Sequence, residues 1–299
     1  MQLMDELLAR TSRTFALAIP LLPEPTRGTT CLAYLLLRVA DTLEDADLWH
    51  REGRLKALED FGGLLRQPET IGLARAKELG RAWSSSPPTR DAGCVALLSA
   101  LPEVWGELWR RDEPSRSTVL RHVARTTEGM QAILARADEM GSFRLLSVEA
   151  LQHYCYVVAG IVGELLTELF LHDCPALEPV RSILLEHQVS FGEGLQLVNI
   201  LKDEKKDATD GRTYLPSDVP RGEVLALARR DLAAARLYIA ALERGGASAG
   251  YIGFTTLSVD LADATLVRLE EEGAGAKVSR SVVMQMFARI QQRIASGVR

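Results

Sequence analysis

An all-α, single-domain protein is predicted, and three observations predict it. Apolar residues recur at three- and four-residue spacing along nearly all of the 299 residues. The alternation of period two that marks strands is nearly absent. Clusters of Gly, Pro and Ser divide the chain into segments of helix length. Helices or broken helices are expected over 2–19, 27–46, 50–66, 69–83, 90–110, 115–137, 147–171, 177–208, 221–244, 250–272 and 279–296.

Taken in order, the first segment opens Met-Gln-Leu-Met-Asp-Glu, acidic early and without a long apolar region, so no signal peptide is expected there. The second carries the apolar run Cys31 to Ala40. The segment over 69–83 stops at Ser84-Ser-Ser-Pro-Pro88, the clearest break in the chain. The segment over 147–171 holds Ala159, Gly160 and Gly163 in its middle and ends before Asp173-Cys-Pro175. That over 177–208 contains the apolar run Gly194 to Leu201 and gives way to a polar stretch from Asp210 to Pro220. Gly245-Gly246 and Gly273-Ala-Gly275 separate the last three helices. None of these breaks is long enough for a linker, and no repeat or low-complexity tract occurs, so one domain is expected over 1–299.

Composition narrows the class. Hydrophobic residues are 47% and charged residues 25%, which argues against disorder. A net charge of -5 leaves no basic footprint for nucleic acid. Cys31, Cys94, Cys155 and Cys174 are scattered without a CxxC pair, and the five histidines form no HxxxH or HExxH, which disfavours zinc and disulfide scaffolds. No stretch is read as about 18 uncharged apolar residues, so no membrane span is expected. A soluble protein of a reducing compartment, cytoplasmic and peripheral to a membrane, is the expectation.

Chemistry concentrates in two aspartate pairs. Asp41 and Asp45 lie in Arg38-Val-Ala-Asp-Thr-Leu-Glu-Asp45, and Asp203 and Asp207 lie in Asn199-Ile-Leu-Lys-Asp-Glu-Lys-Lys-Asp207. Residues four apart share a helix face, so each pair presents two carboxylates in one direction. Such pairs are common on solvated faces, but both of these follow runs too apolar for an exposed helix. Pointed into one apolar cavity they need a cation, and hard oxygen ligands suit Mg2+, which often bridges to substrate phosphates. The small residues Ala159, Gly160 and Gly163 fit close helix packing; beside a diphosphate site the same gap could hold a long apolar chain.

Ser12-Arg-Thr-Phe15, Tyr34 through Asp45, Tyr154 through Phe170, and Gln196 through Pro216 resemble, in their order and spacing, the squalene and phytoene synthase family. These are head-to-head prenyl transferases with the all-α isoprenoid synthase fold of class I terpenoid synthases, a helical bundle around a central cavity. The wording Asp-Thr-Leu-Glu-Asp, with Ser-Arg-Thr-Phe upstream, looks like the squalene-forming members. Lys202 stands where the family usually has Arg, and Lys206 where many members have Glu; Lys keeps the charge and lacks the bidentate fork. The hydrophobic C-terminal anchor of eukaryotic members is missing from the sequence, which ends Ser-Gly-Val-Arg299, so a soluble bacterial-type member is expected.

The resemblance implies a transferase that condenses two farnesyl diphosphates to presqualene diphosphate and, with NADPH, reduces it to squalene, a step toward sterols or hopanoids. It implies Mg2+ held by Asp41, Asp45, Asp203 and Asp207 with Asn199, and diphosphate contacts from Arg13, Arg38, Lys202 and Arg212. Tyr154, Tyr34 and Phe15 are the implied catalytic aromatics, and Ala159, Gly160, Gly163 and Gln196 the implied substrate cavity. Tyr156 reads better as a tyrosine paired to an ordinary polar group, and Glu44 as either a supporting or a solvent-facing residue. No GxGxxG follows a strand, so Lys277, Arg280 and Arg212 are the residues offered to the NADPH phosphate. The same motifs also suit a synthase that stops at presqualene diphosphate, dehydrosqualene or phytoene. A non-catalytic relative acting in assembly or lipid binding would be expected to have lost acidic ligands, and all four aspartates are present.

Overall fold

The computed structural model describes residues 2–296, so the two ends of the expected 1–299 domain, including the last three residues of the C-terminal stretch, lie outside the described residues. Two compact units emerge. One takes in the residues up to Ile19 and Glu24–Gly141; the other takes in Pro20–Pro23 and the residues from Ser142 onward.

The first unit consists of α1 (Gln2–Thr11), α2 (Phe15–Ala18), α3 (Thr26–Glu44), α4 (Arg51–Leu65), α5 (Glu69–Ser85), α6 (Ala92–Ser99), α7 (Leu101–Trp109) and α8 (Glu113–Leu134). Its centre is α3, whose Leu32, Leu35, Leu36, Val39, Ala40 and Leu43 are fully buried at three- and four-residue spacing against α8, α1 and α4. The opposite stripe of α3, Tyr34, Arg38, Asp41 and Asp45, is less buried. The segment expected over 2–19 as helix or broken helix breaks after Thr11, where the Ser12 hydroxyl accepts the Phe15 N–H at 2.9 Å as a second helix starts. The segment over 90–110 breaks at Ala100, where Pro102 begins a new turn and has no N–H to continue the old one.

The second unit holds β1 (Phe143–Arg144), α9 (Val148–Cys155), a π-helical turn (Tyr156–Gly160), α10 (Ile161–Asp173), α11 (Arg181–Thr209), β2 (Arg212–Thr213), α12 (Arg221–Arg244), α13 (Ala249–Glu272) and α14 (Arg280–Ala295). The two short strands are parallel, with Phe143 opposite Arg212 and Arg144 opposite Thr213. At two residues each they are too short to show an alternating pattern, which fits a sequence in which strand signals are nearly absent. Within this unit α11 packs against α12, α10, α13 and the π turn.

The stretch Val148–Asp173 is long and apolar enough to cross a membrane, contrary to the expectation that no stretch would be. Two-thirds of its most apolar window is buried in the structure, as in a core helix.

Its small residues form a seam. A Cβ on Gly163 would lie 1.9 Å from the Gln188 carbonyl oxygen, and one on Gly192 would lie 2.0 Å from the Ala159 carbonyl oxygen. A Cβ on Gly160 would meet Tyr156 at 2.8 Å and Val189 at 3.1 Å. With no side chain there, Gly160 and Gly163 let the backbone of the π turn and α10 touch that of α11, the close helix packing that small residues at this spacing permit.

Gly163→Ala should lower stability by about 1–3 kcal/mol, since the added methyl meets backbone that cannot swing aside. Gly63→Ala in α4, where nothing lies within 4 Å of the new Cβ, should raise it by about 0.5–1 kcal/mol through helix propensity. Urea unfolding of both variants checks this; a Gly163→Ala protein as stable as wild type would show that the seam is loose.

Candidate functional site

The first acidic motif ends α3. Its helical register stacks Tyr34, Arg38 and Asp41 at four- and three-residue intervals, so they meet by geometry alone. The Arg38 guanidinium approaches Asp41 Oδ2 at 3.5 Å, donates from Nε to Tyr34 Oη at 3.2 Å, and lies 5.7 Å from the centre of the Tyr34 ring. Tyr34 in turn donates to the Thr11 carbonyl at 2.9 Å, and its ring centre is 5.5 Å from that of Phe15. The break after Thr11 is what frees that carbonyl and brings Phe15 onto Tyr34.

The Asp41 carboxyl is raised to about 6, chiefly by desolvation; Arg38 opposes the rise and Asp45 adds to it. Its side chain is still 38% accessible, so the group is partly stripped of water but open to a ligand. Desolvation works against the charge of Arg38, and Asp41 and Tyr34 outweigh it to hold the guanidinium above its ordinary range. Asp45 and Arg13 are exposed. Glu44 is 6% exposed, which removes its solvent-facing reading.

The second motif ends α11. Lys202 Nζ donates to Asn199 Oδ1 at 3.0 Å and lies 3.3 Å from Asp203 Oδ2, so the three form one cluster. Asp207 and Arg212 are half-buried. Gln196 lies one turn before Ile200 on the same helix and is half-buried. Beyond α13, Gly275 N–H donates to the Lys202 carbonyl at 2.9 Å, which draws the loop bearing Lys277 alongside the motif. Lys277 and Arg280 are exposed. Among the described residues no three His, Cys, Asp or Glu side chains converge as a ready-made metal cage.

Tyr154 is buried and donates to Tyr214 Oη at 3.1 Å. The ring centres of Tyr154 and Tyr214 are 4.7 Å apart, and Phe143 lies 6.2 Å from the first and 5.3 Å from the second. Neither Tyr214 nor Phe143 was singled out from the sequence; the pairing of β1 with β2 brings them together. Tyr156 donates to Glu164 Oε1 at 3.1 Å, the ordinary polar pairing expected of it. A cavity of about 310 Å3 between α9 and α12 is lined by Val148, Gln152, Arg230 and neighbours, and none of the expected site residues lines it.

A further acidic pair escaped sequence reading. Glu193 on α11 is raised to about 7 by desolvation and by the nearby Asp231 of α12, with Arg230 opposing. Asp231 is itself raised by desolvation; its Oδ1 takes both Arg230 bonds at 3.2 Å, and its Oδ2 is buried without a partner.

A family model described as squalene/phytoene synthase matches residues 8–223, most of the chain. The chain belongs to the squalene/phytoene synthase family. A squalene synthase of Schizosaccharomyces pombe is 30% identical over 220 residues, covering 72% of this chain and 44% of that protein. The human squalene synthase is 29% identical over 212 residues, covering 71% and 45%. The chain thus matches less than half the length of these curated relatives. The solved structure of TcSQS with a ligand superposes with a TM-score of 0.78 at 22% identity, covering all of this chain and 92% of that one. A dehydrosqualene synthase with a ligand superposes at 0.56 and 18% identity, covering 99% and 96%. These likenesses establish the all-α isoprenoid synthase fold.

The Glu193 carboxyl gives a test with a definite sign. Its folded value near 7 lies above the ordinary 4.5, so between those values the folded chain holds a proton that the unfolded chain has released. Raising pH then favours unfolding. Stability should fall between pH 4.5 and 7 in wild type, and Glu193→Gln should flatten that fall. Denaturant midpoints at pH 5 and pH 8 measure it; equal slopes in both proteins would remove the assignment.

Proposed function

We propose that the protein is a squalene synthase, a farnesyl-diphosphate farnesyltransferase acting as a single domain. Two farnesyl diphosphates condense to presqualene diphosphate, which is then reduced to squalene with NADPH. The observation that carries this reading is the desolvated carboxyl of Asp41, raised to about 6 beside Asp45 and open to solvent, within a chain of this family. A carboxyl so placed is costly to keep anionic alone and is relieved by a divalent cation.

Asp41, Asp45, Asp203, Asp207 and Asn199 would hold Mg2+, whose bound form supplies Lewis-acid stabilisation to the departing diphosphate. Arg13, Arg38, Lys202 and Arg212 are the cations for the diphosphate oxygens. Arg38 and Lys202 now neutralise Asp41 and Asp203, and each can turn to a phosphate once its carboxylate has another partner. Phe15, Tyr34 and the Tyr154–Tyr214–Phe143 group offer ring faces to an allylic cation. The Tyr154 hydroxyl, already donating to Tyr214, can hold or pass the proton lost when the cyclopropane closes. Lys277 and Arg280 are the cations offered to the NADPH phosphate. Release of an oily product through peripheral contact with a membrane belongs to the same reading.

Purified protein with farnesyl diphosphate, Mg2+ and NADPH should yield squalene, and without NADPH it should accumulate presqualene diphosphate or its unreduced products. One unreduced hydrocarbon in both conditions would make it a dehydrosqualene- or phytoene-type synthase. Consumption of no farnesyl diphosphate would sink the enzymatic reading.

Asp41→Asn and Asp203→Asn should each cut turnover on the order of 100-fold, the loss seen when one electrostatic partner of a developing charge is removed. Asp41→Asn should leave thermal stability equal or higher, because it deletes a desolvated charge. Turnover at saturating Mg2+ together with a melting curve separates the two effects. Unchanged turnover in either variant would take that motif out of the chemistry.

A further inference from the structure

The last two turns of α11 raise a mechanical question. From Lys202 to Thr209 the sequence is Lys-Asp-Glu-Lys-Lys-Asp-Ala-Thr, and no side chain in it is buried. Leu201, fully buried, is the last apolar anchor before Tyr214. Helices in proteins owe most of their stability to packing of an apolar face, so this segment needs other ties to hold Asp203 in place. Past its end, Gly211 turns with φ of +80° and β2 pairs with β1.

Before that end the tie comes from α12. Arg221, the first residue of that helix, donates from Nη2 to the Leu201 carbonyl at 3.2 Å and from Nε to Glu204 Oε2 at 3.3 Å. Its two bonds straddle Lys202 and Asp203. The loop after α13 adds a third tie, from Gly275 N–H to the Lys202 carbonyl.

We infer that Arg221 is a positioning residue for the second acidic motif, a clamp whose guanidinium fixes the α11 turn from Leu201 to Glu204 and thereby the direction of the Asp203 carboxylate. The inference rests on the proposed reading that this motif holds a divalent cation. The rigid fork of Arg holds both acceptors in one fixed geometry, which the flexible ammonium of Lys reproduces less well. Arg221 touches neither cation nor substrate in this account. It acts on Asp203 through the turn that bears it, bonding to the residues on either side; substitution of groups that orient metal ligands typically weakens metal binding 10–100-fold.

The probe is Mn2+ with inorganic diphosphate, titrated into the full chain and followed by electron paramagnetic resonance of free Mn2+. Arg221→Gln should weaken Mn2+ binding roughly tenfold and raise the Mg2+ needed for half-maximal turnover by a similar factor, with KM for farnesyl diphosphate at saturating Mg2+ nearly unchanged. Arg221→Lys should recover part of the loss. Glu204→Gln should weaken binding less, and the double variant should not be additive, because both act through one contact. Wild-type Mn2+ affinity in Arg221→Gln overturns the clamp while leaving the metal reading intact. Should that variant melt at a much lower temperature, Arg221→Lys and Glu204→Gln decide, and unchanged affinity in both overturns the clamp. A wild-type protein that binds no Mn2+ overturns the metal reading, and the clamp with it.

Discussion

Backbone contact between the helices carrying Gly163 and Gly192 is the constraint on which the second unit depends. With no Cβ at either position, the π turn and α10 lie directly on α11, and the carbonyls of Gln188 and Ala159 occupy the volume a side chain would take. On its other side α11 meets α12 at Gly194, where an added Cβ would lie 3.1 Å from the Leu232 nitrogen. A 29-residue helix is thus gripped over a short length near its middle. Its charged end runs on as a lever from that grip, so the direction of Asn199, Asp203 and Asp207 is set partly by glycines two to four turns away.

Both acidic motifs share an electrostatic solution. Each couples a carboxylate to a cation from its own helix, Arg38 for Asp41 and Lys202 for Asp203. The Arg38–Asp41 pair, three residues apart, needs no tertiary support and forms as soon as the helix does; Lys202 and Asp203 are adjacent, and the long stem of Lys is what lets them meet. The internal cation lowers the cost of a desolvated carboxylate without removing it, as the raised Asp41 carboxyl shows. At Asp41 the fold would therefore do better without the charge.

Much of this was legible in the residues. Long helices such as α3, α11, α12 and α13 announce themselves by their three- and four-residue apolar spacing, and the Arg38–Asp41–Tyr34 stack follows from helix arithmetic. What was missed has a common cause, since it depends on partners distant in the chain. Phe143 meets Tyr214 through a strand pair too short to show a period. Glu193 looks like any half-exposed helix residue until Asp231 is brought against it. Arg221 reads as a surface cation at a helix start until α11 supplies its acceptors. The glycines at 160 and 163 are a different matter: small residues at that spacing suit a cavity and a tight helix crossing equally well, and the crossing shows only once the backbone of α11 lies beside them.

The carboxyls of Asp41 and Glu193, holding their protons up to about 6 and about 7, alter what the molecule presents to its surroundings. Around pH 6 the net charge of the folded chain is less negative than the -5 its composition counts, and unfolding releases those protons to the solvent. Folded and unfolded forms then differ in electrophoretic mobility and ion-exchange retention through charge as well as size. In a weakly buffered solution, denaturation near that pH is itself an acidifying event, small per molecule and proportional to the amount of protein that unfolds.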